Sequence, residues 1–370
     1  MKILFVCGAG LVGGKERQTL EYMKALRDLG HDIYCVTSSW SSGEFEKLLR
    51  ANNIPSSPLR IGFVSIQRGF SAMKMTAHQL LYVPSLWWGY EKLLRTFKPT
   101  VVVHTNFHHI FLLMPVLGST ADVFHVHDTF GNQKFYKRLF KIFNSKIRMF
   151  IGVSKHVCDK LKVLGVPPLK IELVYNGIRP PTDMNRHVNK VPVIGIVGQI
   201  GEWKGHEVLL KALSIIRDVD WQLHIVGFGN DAYIEKLHGL VNDYELYDRV
   251  VFKGKVEGLS NIYRDIDIAC VPSIWEEPFG LAAAEPGFFG IPAVVSDIGG
   301  LSEIVTNEQT GLIVEPRNAH ALSASLRELI VNRDKRIRLG EGARERVTRL
   351  FSASHNILKM ESLLEQLKRS

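Results

Sequence analysis

Glu277 and Glu285 stand eight residues apart in the stretch VPSIWEEPFGLAAAEPGFFGIPAVVSDIGGLSEIV, residues 271–305. An apolar strand should end near Pro272, and a loop then carries Glu276 and Glu277. Pro278-Phe279-Gly280-Leu281 should open a helix, because a proline in the first turn lacks only an N–H that would go unbonded anyway. The unpaired N–H groups of Phe279, Gly280 and Leu281 would then favour an anion or a hydroxyl. Glu277 on the loop can accept hydrogen bonds from sugar hydroxyls. Glu285, on the second helical turn, can accept two from a ribose diol, with a diphosphate between them at the helix start. Ionised acceptors suit vicinal hydroxyls and discriminate against analogues that lack them. A lone glutamate here would read as a solvated helix-end residue complementing the dipole; the pair inside this block argues for binding.

Three further sites carry candidate chemistry. Lys204, in VGQIGEWKGHEVLLKAL, follows a glycine turn and precedes a helix, where a cation and free N–H groups together cradle phosphate. His127, in HVHD, suits acid/base work at a cleft or hydrogen bonding at a strand end, and both readings stay open. Gly8, Gly10 and Gly13 spell G-x-G-x-x-G directly after the apolar run KILFV. A dinucleotide site wants an acid at the end of the second strand to hold the ribose. That strand reads DIYCVTSSW, with Asp32 at its start and Ser38 and Ser39 at its end. Nicotinamide or flavin binding, and with it a dehydrogenase, is therefore disfavoured. What remains is a tight strand-to-helix turn, in which Gly13 and Gly14 either admit an anion or serve the turn alone. Two D-x-D strings, Asp218-Val219-Asp220 and Asp265-Ile266-Asp267, do not by themselves define a metal site; Asp265 and Asp267 read as strand-entry residues. No metal and no cofactor are expected.

The elements that must position these residues alternate strand and helix throughout, which argues an α/β protein with parallel sheets. In the first half the strand candidates are KILFV, DIYCVT, TVVVHT, DVFHVH and MFIGVS. Between the first two, Leu20, Met23, Leu26 and Leu29 recur at helical spacing and Gly30 is a stop. VPVIGIVGQ, WQLHIVGFGN, VVFKGKV, DIACVPS and PAVVSD supply a second set of strands. The break falls near YNGIRPPTDMNRHVNKVP, residues 175–192, rich in Pro and Asn and poor in periodicity. A chain of 370 residues is too long for one ordinary core. We therefore expect two Rossmann-like domains, 1–178 and 179–350, facing an interdomain cleft, with a final helix in 351–370 returning to the first. Ligands in such folds bind outside the carboxyl ends of the strands.

Bulk properties narrow the class. No apolar run approaches the length of a spanning helix, and no basic, cleavable leader precedes the first strand, so a cytoplasmic chain is expected. Cys7, Cys35, Cys158 and Cys270 lie far apart and read as reduced core thiols. Residues 1–180 hold 24 Lys+Arg against 11 Asp+Glu, and residues 181–370 hold 22 against 26. The basic half suits an anionic partner. Within it, KFYKRLFKIFNSKIRMF (134–150) has Lys134, Lys137, Arg138, Lys141, Lys146 and Arg148 and no acid, with Phe135, Leu139, Ile142, Phe143 and Ile147 on one helical face. Such a segment either lies on an anionic leaflet or packs on a core with its basic side in water. Trp87 and Trp88 serve an interface or a core equally.

The block E-P-F-G-x4-E with GGLSEIV downstream resembles the retaining glycosyltransferases of family 4 (glycosyl transferases group 1), which have the GT-B fold. GGKERQTLEYMKALRDLGHDIYCVT, HVHD, IGVSKHVCDKL, VYNGI, VGQIGEWKGHEVLLKAL, FKGKV, YRDIDIACVPS and TGLIVEP extend the likeness over nearly the whole chain. The resemblance implies a catalytic set of His127, Lys204 and Glu277, with His127 near the transferred bond, Lys204 on the leaving diphosphate and Glu277 on the sugar. It implies donor binding by Gly13, Gly14, Gln199, Lys204, Glu277, the backbone at Phe279, Gly280 and Leu281, and Glu285 on the ribose. It departs from this chain where the family usually has arginine, at Gln199, and where it commonly has alanine, at Pro286. The expected activity is retaining, metal-independent transfer from a UDP-, GDP- or ADP-sugar to a glycan, lipid-linked or other hydroxyl acceptor, as in cell-surface polysaccharide, lipopolysaccharide or glycolipid synthesis. No nucleic-acid partner is expected, and the enzyme would be cytoplasmic or peripheral on the cytoplasmic face of a membrane. A sugar-nucleotide epimerase of the same fold and a non-catalytic sugar-nucleotide binder are the alternatives.

Overall fold

The computed structural model describes residues 1–8, 12–63, 70–131 and 134–369; Gly10 of the glycine motif lies outside them. The chain divides into two compact units, Met1–Gly177 with Asn356–Ser370, and Ile178–His355. Among the described residues no helix is long and apolar enough to cross a membrane.

The first unit is built on a seven-stranded sheet of β1 (Lys2–Val6), β2 (Asp32–Ser38), β3 (Ser56–Leu59), β4 (Val101–His104), β5 (Ala121–Val126), β6 (Ile147–Gly152) and β7 (Ile171–Leu173). Its order is β3-β2-β1-β4-β5-β6-β7, and every pairing is parallel. Ile3, Leu4, Phe5 and Val6 are fully buried, as a central strand covered on both faces requires. Helix Gly14–Asp28 follows β1 and buries Leu20, Met23 and Leu26 of the predicted stripe, while Leu29 lies at the C-cap and is exposed. Helix Ala353–Arg369 ends the chain; from Asn356 on it belongs to the first unit, where Glu361 Oε1 meets His31 Nε2 at 2.8 Å.

The second unit has a six-stranded parallel sheet of β8 (Val193–Val197), β9 (Gln222–Val226), β10 (Val250–Gly254), β11 (Ile268–Val271), β12 (Ala293–Ser296) and β13 (Gly311–Val314), ordered β10-β9-β8-β11-β12-β13. In each sheet the order reverses once, between β1 and β4 and between β8 and β11. At such a switch point the helices that follow the two neighbouring strands lie on opposite faces of the sheet, and ligands bind at the carboxyl edge between them.

The expectation for the basic segment changes. The basic segment 134–150 is not one helix: it is helix Lys134–Phe143 followed by β6, which begins at Ile147. Leu139, Phe140 and Phe143 are buried, with Phe140 packing on Phe124, Phe130 and Phe150, so most of the apolar face is core. Phe135 and Ile142 stay exposed, as do Lys134, Lys137, Arg138 and Lys141. Trp87 Nε1 donates to Leu112 O at 2.8 Å, while Trp88 is exposed. Asp265 and Asp267 lie just before β11, in keeping with their reading as strand-entry residues, and they also hold the segment leading into β8. His187 Nδ1 is 2.6 Å from Asp265 Oδ1, Arg186 donates to Asp267 Oδ1 at 3.0 Å, and Asn189 and Val193 N donate to Asp267 Oδ2 at 2.8 and 3.0 Å.

Candidate active site

The loops after β8 and β11 leave adjacent parallel strands, so they meet at one edge of the second sheet. Ile274 N donates to Trp203 O across them at 2.9 Å. Lys204 ends the 3-10 turn Glu202–Lys204, and Gly205 (φ +76°) turns the chain into helix His206–Ile215. A Cβ on Gly205 would lie 1.9 Å from Pro272 O, so only glycine lets this turn close against the end of β11. The closure sets Lys204 Nζ 2.5 Å from Glu277 Oε1, and Ser273 Oγ donates to the same oxygen at 2.7 Å. The lysine side chain is 23% exposed and the glutamate 12%, so the pair is largely shielded from water and its attraction is less screened than at a surface. An ammonium has three donors, and binding Glu277 leaves it able to bind a phosphate as well.

A glycine pair after β12 carries the Glu277 backbone. Gly300 N donates to Glu277 O at 2.8 Å, and a Cβ on Gly299 (φ +63°) would fall 2.3 Å from that carbonyl oxygen. Phe279 is buried, its ring edge-on to Phe351 at 5.4 Å. The helix beyond does not open at Pro278. It runs only from Leu281 to Ala284, because Gly280 caps it at φ +104°, outside the helical region. One turn carries little macrodipole, so an anion here depends on individual N–H groups at Phe279, Gly280 and Leu281. Glu285 is likewise not on a second α-helical turn. Pro286 ends the α-helix, and Glu285 begins the 3-10 turn Glu285–Phe289. Its Oε2 accepts from Tyr263 Oη at 2.9 Å. Gln199 is exposed on the loop after β8.

In the first unit, Gly13 and Gly14 are exposed at the start of the helix that follows β1, and Gly13 N donates to Glu16 Oε2 at 3.0 Å. Burial works to discharge Lys15, but Asp128 and Glu16 outweigh it and hold the ammonium charged. His127 lies just past β5, 7% exposed, with Nε2 3.1 Å from His125 Nδ1. Tyr22 stands edge-on to His125 at 5.2 Å. Burial first, then His125 and Lys15, push His127 well below its ordinary value, and burial alone takes His125 down to about 3. His127 is thus a neutral imidazole near neutral pH, able to donate or accept a proton.

The structure joins Lys204 with Glu277 and sets Glu285 at the end of the short helix that Gly280 opens. Sequence reasoning missed Ser273, Tyr263, His125 and Lys15. All four stand inside quoted stretches, Lys15 in GGKERQ, His125 in HVHD, and Tyr263 and Ser273 in YRDIDIACVPS, but nothing in the local pattern names the partners that give them a role.

Two doubly wound sheets, with Lys204 and Glu277 at the switch point of the second, define an α/β protein of the GT-B class. Residues 12–180 match the family described as Glycosyltransferase Family 4, and residues 182–346 match Glycosyl transferases group 1. The chain belongs to this group of glycosyltransferases. An uncharacterized glycosyltransferase of Methanocaldococcus jannaschii is 32% identical over 213 residues, 50% of this chain and 54% of that one. A D-inositol 3-phosphate glycosyltransferase of Corynebacterium glutamicum is 30% identical over 217 residues, 55% of this chain and 51% of that one. These matches span about half the length of the curated relatives. Anabaena HepE in complex with UDP shares the fold, with a TM-score of 0.83 over 99% of this chain and 100% of that one at 19% identity.

Proposed function

We propose that this protein transfers a sugar from a nucleoside-diphosphate sugar to a hydroxyl acceptor, with retention at the anomeric carbon and without a metal ion. The observation that carries this reading is the Lys204–Glu277–Ser273 cluster at the switch point of the second sheet. The C1–O bond breaks with its electron pair going to the leaving diphosphate, and the acceptor hydroxyl oxygen bonds C1 from the same face while its proton passes to the departing diphosphate oxygen. Lys204 and nearby backbone N–H groups stabilise the charge that develops on the diphosphate, the task a metal performs elsewhere. Glu277 holds sugar hydroxyls; its tie to Lys204 and Ser273 suits an acceptor of hydrogen bonds better than a free nucleophile. Glu285 accepts the ribose hydroxyls, and Gln199, Phe279, Gly280 and Leu281 complete the donor contacts.

The first unit is assigned the acceptor, with His127 serving the transferred bond and Gly13 and Gly14 serving the phosphates. Its basic charge favours an acceptor that is phosphorylated or held at an anionic surface, in keeping with the inositol phosphate in the Corynebacterium relative's name. A cytoplasmic enzyme of glycolipid or polysaccharide synthesis fits these features. Calorimetry against UDP-, GDP- and ADP-sugars identifies the donor. Nucleoside-diphosphate release on adding acceptor, with the product anomer read by NMR, then tests the reaction. Binding without release, or interconversion of the sugar without an acceptor, would overturn it.

A further inference from the structure

Glu285 leaves the backbone where helix Leu281–Ala284 gives way to the 3-10 turn Glu285–Phe289. Pro286 makes the break, since it has no N–H for the carbonyl four residues back and its ring crowds that carbonyl. A glutamate inside a long helix is aimed by the helix; at this junction it needs another hold. Tyr263 grips the turn at both ends. Its Oη donates to Glu285 Oε2 at 2.9 Å, and its ring lies 5.5 Å from that of Phe289. Tyr263 is fully buried and closes the short helix Leu259–Tyr263, a few residues before β11. Burial, then the Glu285 carboxylate, push the phenol well above its ordinary value, so the tyrosine stays the donor and the carboxylate the acceptor.

We infer that Tyr263 is a positioning residue for the donor's ribose: its hydrogen bond turns the Glu285 carboxylate toward a vicinal diol and so sets the preference for a ribonucleotide over a 2′-deoxynucleotide. This rests on the reading of Glu285 as the ribose acceptor. An ionised carboxylate has about four lone-pair sites, so the bond from Tyr263 does not by itself prevent Glu285 from accepting ribose hydroxyls. The tie also fixes the carboxylate plane, and pre-set acceptors are what make a site reject a ligand lacking the hydroxyl.

The test uses whichever of UDP, GDP and ADP binds the full chain most tightly, together with its 2′-deoxy counterpart. Calorimetry gives the ratio of the two Kd values for the parent, Tyr263→Phe and Glu285→Ala, with circular dichroism confirming the fold. The expected result is a ratio about tenfold lower in Tyr263→Phe, the worth of one hydrogen bond, and near one in Glu285→Ala. A parent-like ratio in Tyr263→Phe beside a collapsed one in Glu285→Ala would show that Tyr263 serves structure alone. A parent-like ratio in Glu285→Ala would overturn the ribose reading and this inference with it. Should Tyr263→Phe fail to fold, a crystal structure of the parent with the nucleotide decides the matter. Tyr263 Oη and the ribose hydroxyls on one Glu285 carboxylate support the inference; a carboxylate swung away from Tyr263 to reach the ribose overturns it.

Discussion

Lys204 Nζ stands 2.5 Å from Glu277 Oε1 although 73 residues separate them in the chain. Neighbouring parallel strands β8 and β11 deliver the two side chains to one edge, and Gly205 allows their loops to touch. On the proposed reading, this pair keeps a cation beside the acid assigned to the sugar, so that charge would be in place before the diphosphate begins to leave.

Lys204→Ala should therefore lower kcat by about 10²–10³, the usual loss when one donor to a developing anion is removed. Donor KM should change far less. Steady-state release of nucleoside diphosphate separates the two. A rise in KM alone would mean that Lys204 binds ground and transition states equally.

Gln199 carries no charge on the exposed loop after β8, at the position where the family resemblance implies an arginine. Gln199→Arg should tighten nucleoside-diphosphate binding by about three- to tenfold, the lower part of the range for a charged hydrogen bond because the site is exposed. Calorimetry at two salt concentrations checks it, and the gain should shrink at the higher one.

Acid should destabilise the first unit through its buried histidines. His109 and His125 titrate near 6.5 when unfolded but are lowered to about 3 in the fold, chiefly by burial. Between those values the unfolded chain binds more protons, so their contribution is intact above about pH 6.5 and is lost as pH falls toward 3. The slope is up to about 1.4 kcal/mol per pH unit for each histidine. Urea unfolding at pH 7, 6 and 5 reads it, and His109→Leu should flatten it by one histidine's share.

Helix Lys134–Phe143 keeps its basic face in water with Phe135 and Ile142 exposed. The protein should float with anionic vesicles at low salt and lose them near 0.5 M salt, where screening is short-ranged. Replacing Lys134, Lys137 and Lys141 by glutamine should abolish flotation while leaving nucleotide binding unchanged. No flotation at low salt would remove the membrane from the acceptor hypothesis.

The central strands, the first helix and the block from Glu277 to Glu285 were legible because each is written in local pattern: continuous apolar runs, a 3.6-residue stripe, a loop rich in Pro and Gly. Of the four edge strands only β10 was read, in VVFKGKV; β3, β7 and β13 were not. Ser56-Ser57-Pro58-Leu59 becomes β3 by pairing on one side only, where a proline's missing N–H costs no ladder bond. Local spacing also misjudged the helix near Glu285, since Gly280 adopts a left-handed conformation only because the chain around it demands it.

By itself the sequence determined the alternation of strand and helix, the two-part division and the residue types available for chemistry. Only the tertiary structure decided that Lys204 meets Glu277, that Tyr263 grips Glu285, that Asp265 and Asp267 hold the segment before β8, and that most of the apolar face of Lys134–Phe143 turns inward. Each of these depends on which strands lie side by side. Strand order arises from burying whole faces together, a sum over distant residues that no short window of sequence contains.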